Sequence, residues 1–133
     1  MAVKIEIKNL DKIAKMADKY PAISQRHIDK AIVRSIGEID IQTKPFTPVK
    51  TGRLRSSMLP KFSPFQGIYG SKLPYAITVH DKYGEGVVKP YRHPSLNKKA
   101  ISSFLFEGAR KSEKVINKEF QEALDNIAED LVK

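Results

Sequence analysis

The sequence predicts an α+β fold, in which a small sheet of short, mainly antiparallel strands packs against an N-terminal helical segment and a long C-terminal helix. Three observations predict it. Apolar residues recur at helical spacing near both ends, short strand-like segments lie between them, and the first residues alternate between apolar and charged types. Because 41% of the 133 residues are hydrophobic, one domain over residues 1–133 has enough apolar material for a core.

The first predicted elements are a strand and a short helix. Residues 2–8 alternate between apolar and charged side chains, which indicates a half-buried strand at or near a sheet edge. Apolar residues from Leu10 to Ala17 then recur at helical spacing. This helix is expected to end at Tyr20, because the residue before Pro21 is pushed out of the α region.

A second helix is predicted from a cap at Ser24 to about Gln42. Serine is a favoured capping residue because its side-chain oxygen can accept a free backbone N–H. An apolar stripe runs along this segment, made of Ile28, Ala31, Ile32, Ser35, Ile36 and Ile39. We expect this helix to cover the sheet.

Glycine and proline concentrate in the centre of the chain, which predicts loops and short elements there. Residues 54–59, 65–69 and 75–79 are predicted to form strands or short helices. Helical spacing then returns near the C terminus, at Val115, Ile116, Phe120, Ala123, Leu124, Ile127 and Leu131. A long amphipathic helix is therefore predicted from about Phe104 or Lys111 to Leu131.

The stretch TPVKTGRLRSS, residues 47–57, carries the most specific local pattern. A P-loop needs two glycines framing four residues before Lys-Ser or Lys-Thr, but here a single Gly52 precedes Arg53, which argues against nucleotide binding. The prolines keep the chain extended, Thr51 and Gly52 form a turn, and the alternation that follows predicts a strand. Arg53 and Arg55 would then lie on one face of the sheet.

Positive charge is concentrated in the same central part of the chain. Residues 44–100 hold eleven Lys and Arg and two acidic residues, Asp81 and Glu85. The net charge of this segment is therefore 11 − 2 = +9, the same as the net charge of the whole chain. A basic centre between neutral ends suits a polyanion, either DNA or an acidic protein surface. A solvated basic face that aids solubility is the alternative.

A long basic loop is predicted at about residues 80–103, where no clear period is found. In a small domain such a loop is usually functional or ordered by a partner. Tyrosines and cations interleave in and beside it: Tyr69, Tyr75, Tyr83 and Tyr91 with Lys72, Lys82, Lys89 and Arg92. This mixture suits base stacking with phosphate neutralisation, or a protein interface. The lack of a known nucleic-acid motif favours the protein interface.

Several classes of site are disfavoured by residue type and spacing. The chain has no cysteine, which excludes disulfides and thiolate metal sites, and its three histidines are not at ligand spacing. His80-Asp81 resembles half of a catalytic pair, but the chain offers no serine in a nucleophile-elbow context. We therefore expect no metal, no cofactor and no enzymatic activity. A surface or partly packed His80 is the favoured interpretation.

The chain shows no signal peptide and no run near the ~18 apolar residues of a membrane span, so a soluble intracellular protein without membrane contact is expected.

Three segments carry a resemblance to a known family. TPVKTGRLRSS is followed by PYAITVH at residues 74–80 and by Phe104-Leu105 at the start of the terminal helix. Together they resemble the head-tail joining family of long-tailed bacteriophages, whose members are labelled neck, tail completion, tail terminator or minor tail proteins. The resemblance covers about residues 40–80 well and the C-terminal helix loosely. Lys50 stands where the family usually has an acidic residue.

The resemblance implies a structural virion protein of a phage or prophage, with no active site and no cofactor. It implies a ring, most often a hexamer, at the head-tail junction or the tail end, assembled in the host cytoplasm. The expected partners are further copies of the chain, the head-closure and tail-tube proteins, and DNA in the channel through non-specific contacts.

The residues predicted to form the interface with a subunit, a partner ring or DNA are Arg53, Arg55, Tyr75, His80, Lys82, Tyr83, Lys89, Tyr91 and Arg92. An N-terminal strand that pairs edge to edge with a neighbouring copy would close the ring. Two alternatives remain open from the sequence. One is a basic nucleic-acid-binding module that uses the same central surface, and the other is a small hydrolase that uses His80 and Asp81.

Overall fold

The structure is a computed structural model that describes residues 7–49, 52–93 and 96–132. The α+β fold is confirmed. The helices are α1 (Leu10–Lys19), α2 (Pro21–Thr43), α3 (Arg53–Ser57), α4 (Ala76–His80) and α5 (Phe104–Leu131). The strands are β1 (Leu59–Ser63) and β2 (Gln66–Gly70), and a 3-10 turn, Lys44–Phe46, follows α2. Within these ranges, no helix combines the length and the apolar character that crossing a membrane requires.

Two long helices, α2 and α5, pack side by side in opposite directions and form the centre of the domain. His27 near the start of α2 bonds to Asp130 near the end of α5, and Thr43 at the end of α2 contacts Gly108 near the start of α5. The predicted apolar stripes face each other in the core: Ile28, Ala31 and Ile39 from α2, with Ile116, Phe120, Ala123 and Ile127 from α5. Burial of these stripes is what pairs the two helices.

The joint between α1 and α2 corrects the predicted helix cap. The second helix begins at Pro21, which suits the first helical turn because that position needs no N–H donor. Ser24 lies inside the helix, fully buried, and its hydroxyl donates to the carbonyl of Met16 at 2.8 Å. This serine therefore ties α2 to the end of α1 and does not cap α2.

The predicted N-terminal strand, residues 2–8, falls largely outside the described residues. Ile7 and Lys8 are described, and neither belongs to a strand. The backbone N–H of Lys8 donates to the side-chain oxygen of Asn117 at 2.8 Å, and Ile7 packs against the core. The chain thus reaches α1 along the surface of α5.

Strands β1 and β2 form an antiparallel hairpin, with Leu59 opposite Gly70 and Ser63 opposite Gln66. The hairpin rests on α2 through Gly67, where a Cβ atom would lie 2.5 Å from the Cγ2 atom of Ile32. A side chain at that position would separate strand and helix, so the glycine permits the close approach. Residues 65–69, predicted to form a strand or a short helix, largely coincide with β2, and the prediction that α2 covers the sheet is confirmed.

The strand predicted after Gly52 is wrong, because residues 53–57 form the one-turn helix α3. Gly52 has a φ of 81°, and its carbonyl accepts the N–H of Ser56 at 2.9 Å. Leu54 and Met58, both buried, are four residues apart, a spacing that fits one face of a helix as well as one face of a strand. Arg53 is exposed and Arg55 half-buried on α3, so they do not share a sheet face.

Candidate interaction site

A cleft of about 600 Å³ lies beside α3 and α4 and is closed on one side by the loop after α4. Its apolar part consists of Pro48, Leu54, Val79 and Leu96. Its aromatic and cationic part consists of Tyr75, Lys82, Tyr83, Tyr91, Arg92 and His93. A volume of this size is in the range of small-molecule and side-chain binding sites, which span roughly 300–1,000 Å³.

Lysine ammonium groups lie against the tyrosine rings on one wall of the cleft. The Nζ atom of Lys82 is 4.9 Å from the ring centroid of Tyr91 and 5.5 Å from that of Tyr83. The Nζ atom of Lys89 is also 5.5 Å from the Tyr83 centroid. The two rings are 6.1 Å apart and tilted by 52°. Attraction between cation and ring thus holds both ammonium groups beside the rings.

Tyr91 anchors this wall to the rest of the fold. Its hydroxyl donates to the carbonyl of Val79 in α4, and its backbone N–H donates to the carbonyl of Ala100 at 3.0 Å. Burial, together with the nearby Tyr83, raises the pKa of Tyr91 to about 12. The phenol therefore stays protonated and keeps its donor at neutral pH.

Buried serines attach the loop that carries the cations to the rest of the fold. Ser102 is fully buried; its hydroxyl donates to the carbonyl of Val87 at 2.6 Å and accepts the N–H of Lys89 at 2.9 Å. The backbone N–H of Ser102 donates to the Lys89 carbonyl at 2.9 Å. Ser103 adds a hydroxyl bond to Val87 at 3.1 Å. These bonds hold the loop against the start of α5.

The opposite side of the cleft is tied together by Asn97. Its side-chain oxygen accepts the N–H of Val49 at 2.9 Å, and its side-chain nitrogen donates to the carbonyl of Pro45 at 2.9 Å. Nearby, the N–H of Ile101 donates to the carbonyl of Phe46 at 3.1 Å. These bonds attach the end of the long loop to residues 45–49.

His80 is not a surface residue, which corrects its predicted place in the interface. Its ring is fully buried and lies edge-on to Phe104 and Phe106, with centroids 4.8 and 4.9 Å away. The Nε2 atom accepts the N–H of Leu105 at 3.2 Å, and Nδ1 bonds to a carboxylate oxygen of Asp81 at 2.7 Å. Burial lowers the pKa of His80, although Asp81 opposes the shift. Both ring nitrogens therefore have partners within the fold.

The structure brings five of the nine predicted interface residues together in the cleft: Tyr75, Lys82, Tyr83, Tyr91 and Arg92. Lys89 joins them through Tyr83, while Arg53 and Arg55 on α3 are not among the described lining residues. The lining residues that were not predicted to form the interface are Pro48, Gly52, Leu54, Val79, His93 and Leu96. Val79 follows Tyr75 at helical spacing, which was a usable signal, whereas nothing local marks Leu96.

No model of a known protein family, no curated protein and no solved structure matches this chain. Over the part of the chain that the structure describes, no three His, Asp or Glu side chains are grouped so that they could hold a metal ion.

Proposed function

We propose that the protein is a structural virion protein of a long-tailed phage, which forms a ring at the head-tail junction or the tail end. The observation that carries the proposal is spatial. Residues 47–57 and 74–80, two of the segments that resemble the head-tail joining family, supply Pro48, Leu54 and Tyr75 to one cleft. Two segments that are not adjacent in the sequence thus build a common surface.

The third segment meets the second directly behind this surface. The N–H of Leu105 donates to the His80 ring, and the N–H of Ser103 donates to the His80 carbonyl at 2.6 Å. His80 therefore connects α4 with the start of α5. All three segments that carry the resemblance therefore belong to one structural unit. This supports the resemblance to the family better than three isolated short matches would.

The hairpin supplies a surface that suits ring assembly. Leu59 and Ile68 lie on its outer face, 63% and 55% exposed, and the described strands pair only with each other. Open strand edges invite pairing with another chain, and a two-stranded sheet is only marginally stable alone. Pairing of one copy's hairpin with a different surface of the next copy is a heterologous contact, which closes into a ring when the rotation allows.

Deletion of the reading frame from its parent phage or prophage tests the proposal. We expect electron micrographs to show DNA-filled heads beside unjoined or abnormally long tails, because the junction would be incomplete. Normal infectious particles would overturn the assignment.

Complementation then tests the hairpin. The wild-type chain should restore joined particles, whereas Leu59→Glu with Ile68→Glu should not, because two charges would be placed in the contact between copies. Val132→Glu is the matched control, since Val132 is 85% exposed and lies at the far end of α5. Restoration by the hairpin variant would remove the hairpin from the ring interface.

The nucleic-acid-binding module is the second candidate, supported by the concentration of positive charge in residues 44–100. The cleft favours it less, because proteins that bind single strands stack bases on aromatic rings, and here Lys82 and Lys89 lie against those rings. Saturable DNA binding at physiological salt, with affinity falling steeply as salt rises, would favour this candidate.

A further inference from the structure

The cleft combines an apolar floor with a cationic rim. Leu54 and Pro48 are buried, Val79 and Leu96 are half-buried, and all four line the floor. Lys82 and Arg92 are exposed at the rim, and Lys89 lies beside them. No aspartate or glutamate is among the described lining residues. The cleft is therefore complementary to a ligand that carries both negative charge and an apolar group.

The lysines are positioned before any ligand arrives. The contacts of Lys82 with two tyrosine rings and of Lys89 with one restrict side chains that would otherwise move freely. Restricting a lysine in advance lowers the entropy lost when it binds an anion. Two hydrogen bonds with Ser102 also fix the backbone N–H and carbonyl of Lys89.

The covered tyrosine rings and the aliphatic floor of the cleft favour a peptide over a nucleic acid. A nucleic acid presents phosphates along an extended backbone and bases that need open ring faces, but Lys82 and Lys89 approach the rings of Tyr83 and Tyr91. A nucleic acid also has no aliphatic side chain for the floor formed by Leu54 and Val79. A peptide supplies carboxylates and an apolar anchor within a few residues.

We propose that this cleft binds an acidic peptide segment of a partner protein, with one apolar side chain on the floor and the flanking carboxylates on Lys82, Lys89 and Arg92. The inference rests on the proposed function only in taking the partner to be a neighbouring protein of the same assembly. The site itself is defined by the chain alone, so it can be tested on the purified protein.

The test uses four short capped peptides, each with three acidic residues on either side of a central Leu, Ile, Met or Phe. Binding is followed by NMR of the backbone amides at physiological salt. We expect at least one peptide to shift the amides of residues 79–92 in a saturable way. Replacing its central residue by Ser should weaken binding about tenfold or more, because a large apolar side chain would no longer be buried on the floor.

Charge-reversal variants locate the rim. Lys82→Glu and Arg92→Glu should each weaken the peptide about tenfold, the loss expected when an attractive charge becomes repulsive. Lys114→Glu is the matched control, because Lys114 is exposed in the middle of α5 and does not line the cleft. Amide spectra of the free variants verify the fold, and Arg92→Glu keeps the inference testable if Lys82→Glu perturbs the tyrosine wall.

Three outcomes would overturn the inference: no saturable shift with any of the four peptides, equal binding of the Ser peptide, or an equal effect of Lys114→Glu. Tighter binding of a short oligothymidylate at the same amides would overturn it in favour of the nucleic-acid candidate. If no peptide binds but deletion of the reading frame gives unjoined heads and tails, the peptide site is rejected and the proposed function is retained. Peptide binding together with normal particles rejects the proposed function and keeps the peptide site.

Discussion

The Nε2 atom of buried His80 accepts the backbone N–H of Leu105, in the first turn of α5, at 3.2 Å. The first N–H groups of a helix have no partner within the helix, and no side-chain cap is found at Ser103, the residue before α5. Because Nε2 must be an acceptor for this bond, the ring proton lies on Nδ1, next to Asp81. A neutral histidine thus takes the place of a helix cap.

This arrangement predicts that acid destabilises the protein through His80. Burial lowers the pKa of the folded His80 below its ordinary value of 6.5, while the unfolded residue titrates near that value. Below it the unfolded state binds more protons, so the free energy of unfolding decreases as the pH falls. The contribution of His80 to stability is complete at a pH above its pKa in the unfolded state. It is lost as the pH falls through the pKa of His80 in the folded state. Denaturant unfolding between about pH 7.5 and pH 5.5 measures it.

His80→Gln supplies the comparison, because glutamine offers a neutral acceptor and does not titrate. We expect this variant to be less stable at neutral pH and to show a shallower loss of stability on acidification than the wild type. Identical slopes would show that His80 does not carry the pH dependence. His80→Ala should cost roughly 3 kcal/mol, because it leaves a cavity and an unpaired N–H at Leu105.

Gly108 sets how closely the two long helices approach. A Cβ atom at Gly108 would lie 2.8 Å from the Cα atom of Thr43, and backbone cannot rotate away as a side-chain tip can. We expect Gly108→Ala to lower the free energy of unfolding by roughly 2–3 kcal/mol, as overpacking does in cores. Thermal or denaturant unfolding measures the loss.

Gly37→Ala is the matched control on the facing helix. Gly37 is exposed within α2, and a Cβ atom there meets nothing within 4 Å. We therefore expect a gain of about 0.5–1 kcal/mol, because alanine favours a helix more than glycine does. Equal stability of the two variants would contradict a close contact between α5 and Thr43. Adding Thr43→Ala should restore Gly108→Ala only in part, since the backbone contact persists.

The fold was predictable where apolar periodicity extends over many residues. The stripes of α2 and α5 each cover several turns, and both predictions are confirmed. The segment at residues 53–58 was misassigned because Leu54 and Met58 fit a period of two and a helical turn equally well over five residues. The start of α2 was misplaced because Ser24 resembles a cap, whereas its hydroxyl bonds to α1.

The cleft was predictable only in its charged and aromatic part. Lys82, Tyr83 and Arg92 stand in a loop, and polar residues in loops are commonly exposed and available for binding. The burial of His80 depends on the tertiary contact with α5, which no local pattern reveals. The floor joins Leu96 to the segment at residues 47–57 across the fold, so the apolar part emerges only from the structure.

Replacing Ser102 tests whether its hydrogen bonds order the loop that carries the cations. Its buried hydroxyl serves two backbone groups, the carbonyl of Val87 and the N–H of Lys89. Ser102→Ala leaves both without that partner, so we expect a loss of roughly 1–3 kcal/mol and faster proteolysis at residues 81–93. Ser56→Ala, at an exposed position on α3, should change neither property by a comparable amount. Unchanged proteolysis in Ser102→Ala would show that other bonds order the loop.

Tyr91 should make the free energy of unfolding fall as the pH rises into the alkaline range. This is the opposite direction to the effect of His80, which lowers stability as the pH falls. Its pKa is raised from 10.0 to about 12 in the folded protein, so above the unfolded pKa the folded state holds more protons. The stability that this tyrosine contributes is complete below that pH and is lost as the pH rises through the folded pKa.

Tyr91→Phe removes both the titration and the hydroxyl bond to Val79. We expect a loss of about 1 kcal/mol at neutral pH, the net contribution of one hydrogen bond, and a shallower decline in stability under alkaline conditions. Ultraviolet titration of the folded protein should also lose the phenol that ionises near pH 12. Tyr83→Phe keeps the bond to Val79 and should keep the neutral-pH stability. A wild-type titration curve in Tyr91→Phe would refute the buried environment on which the tyrosine wall of the cleft depends.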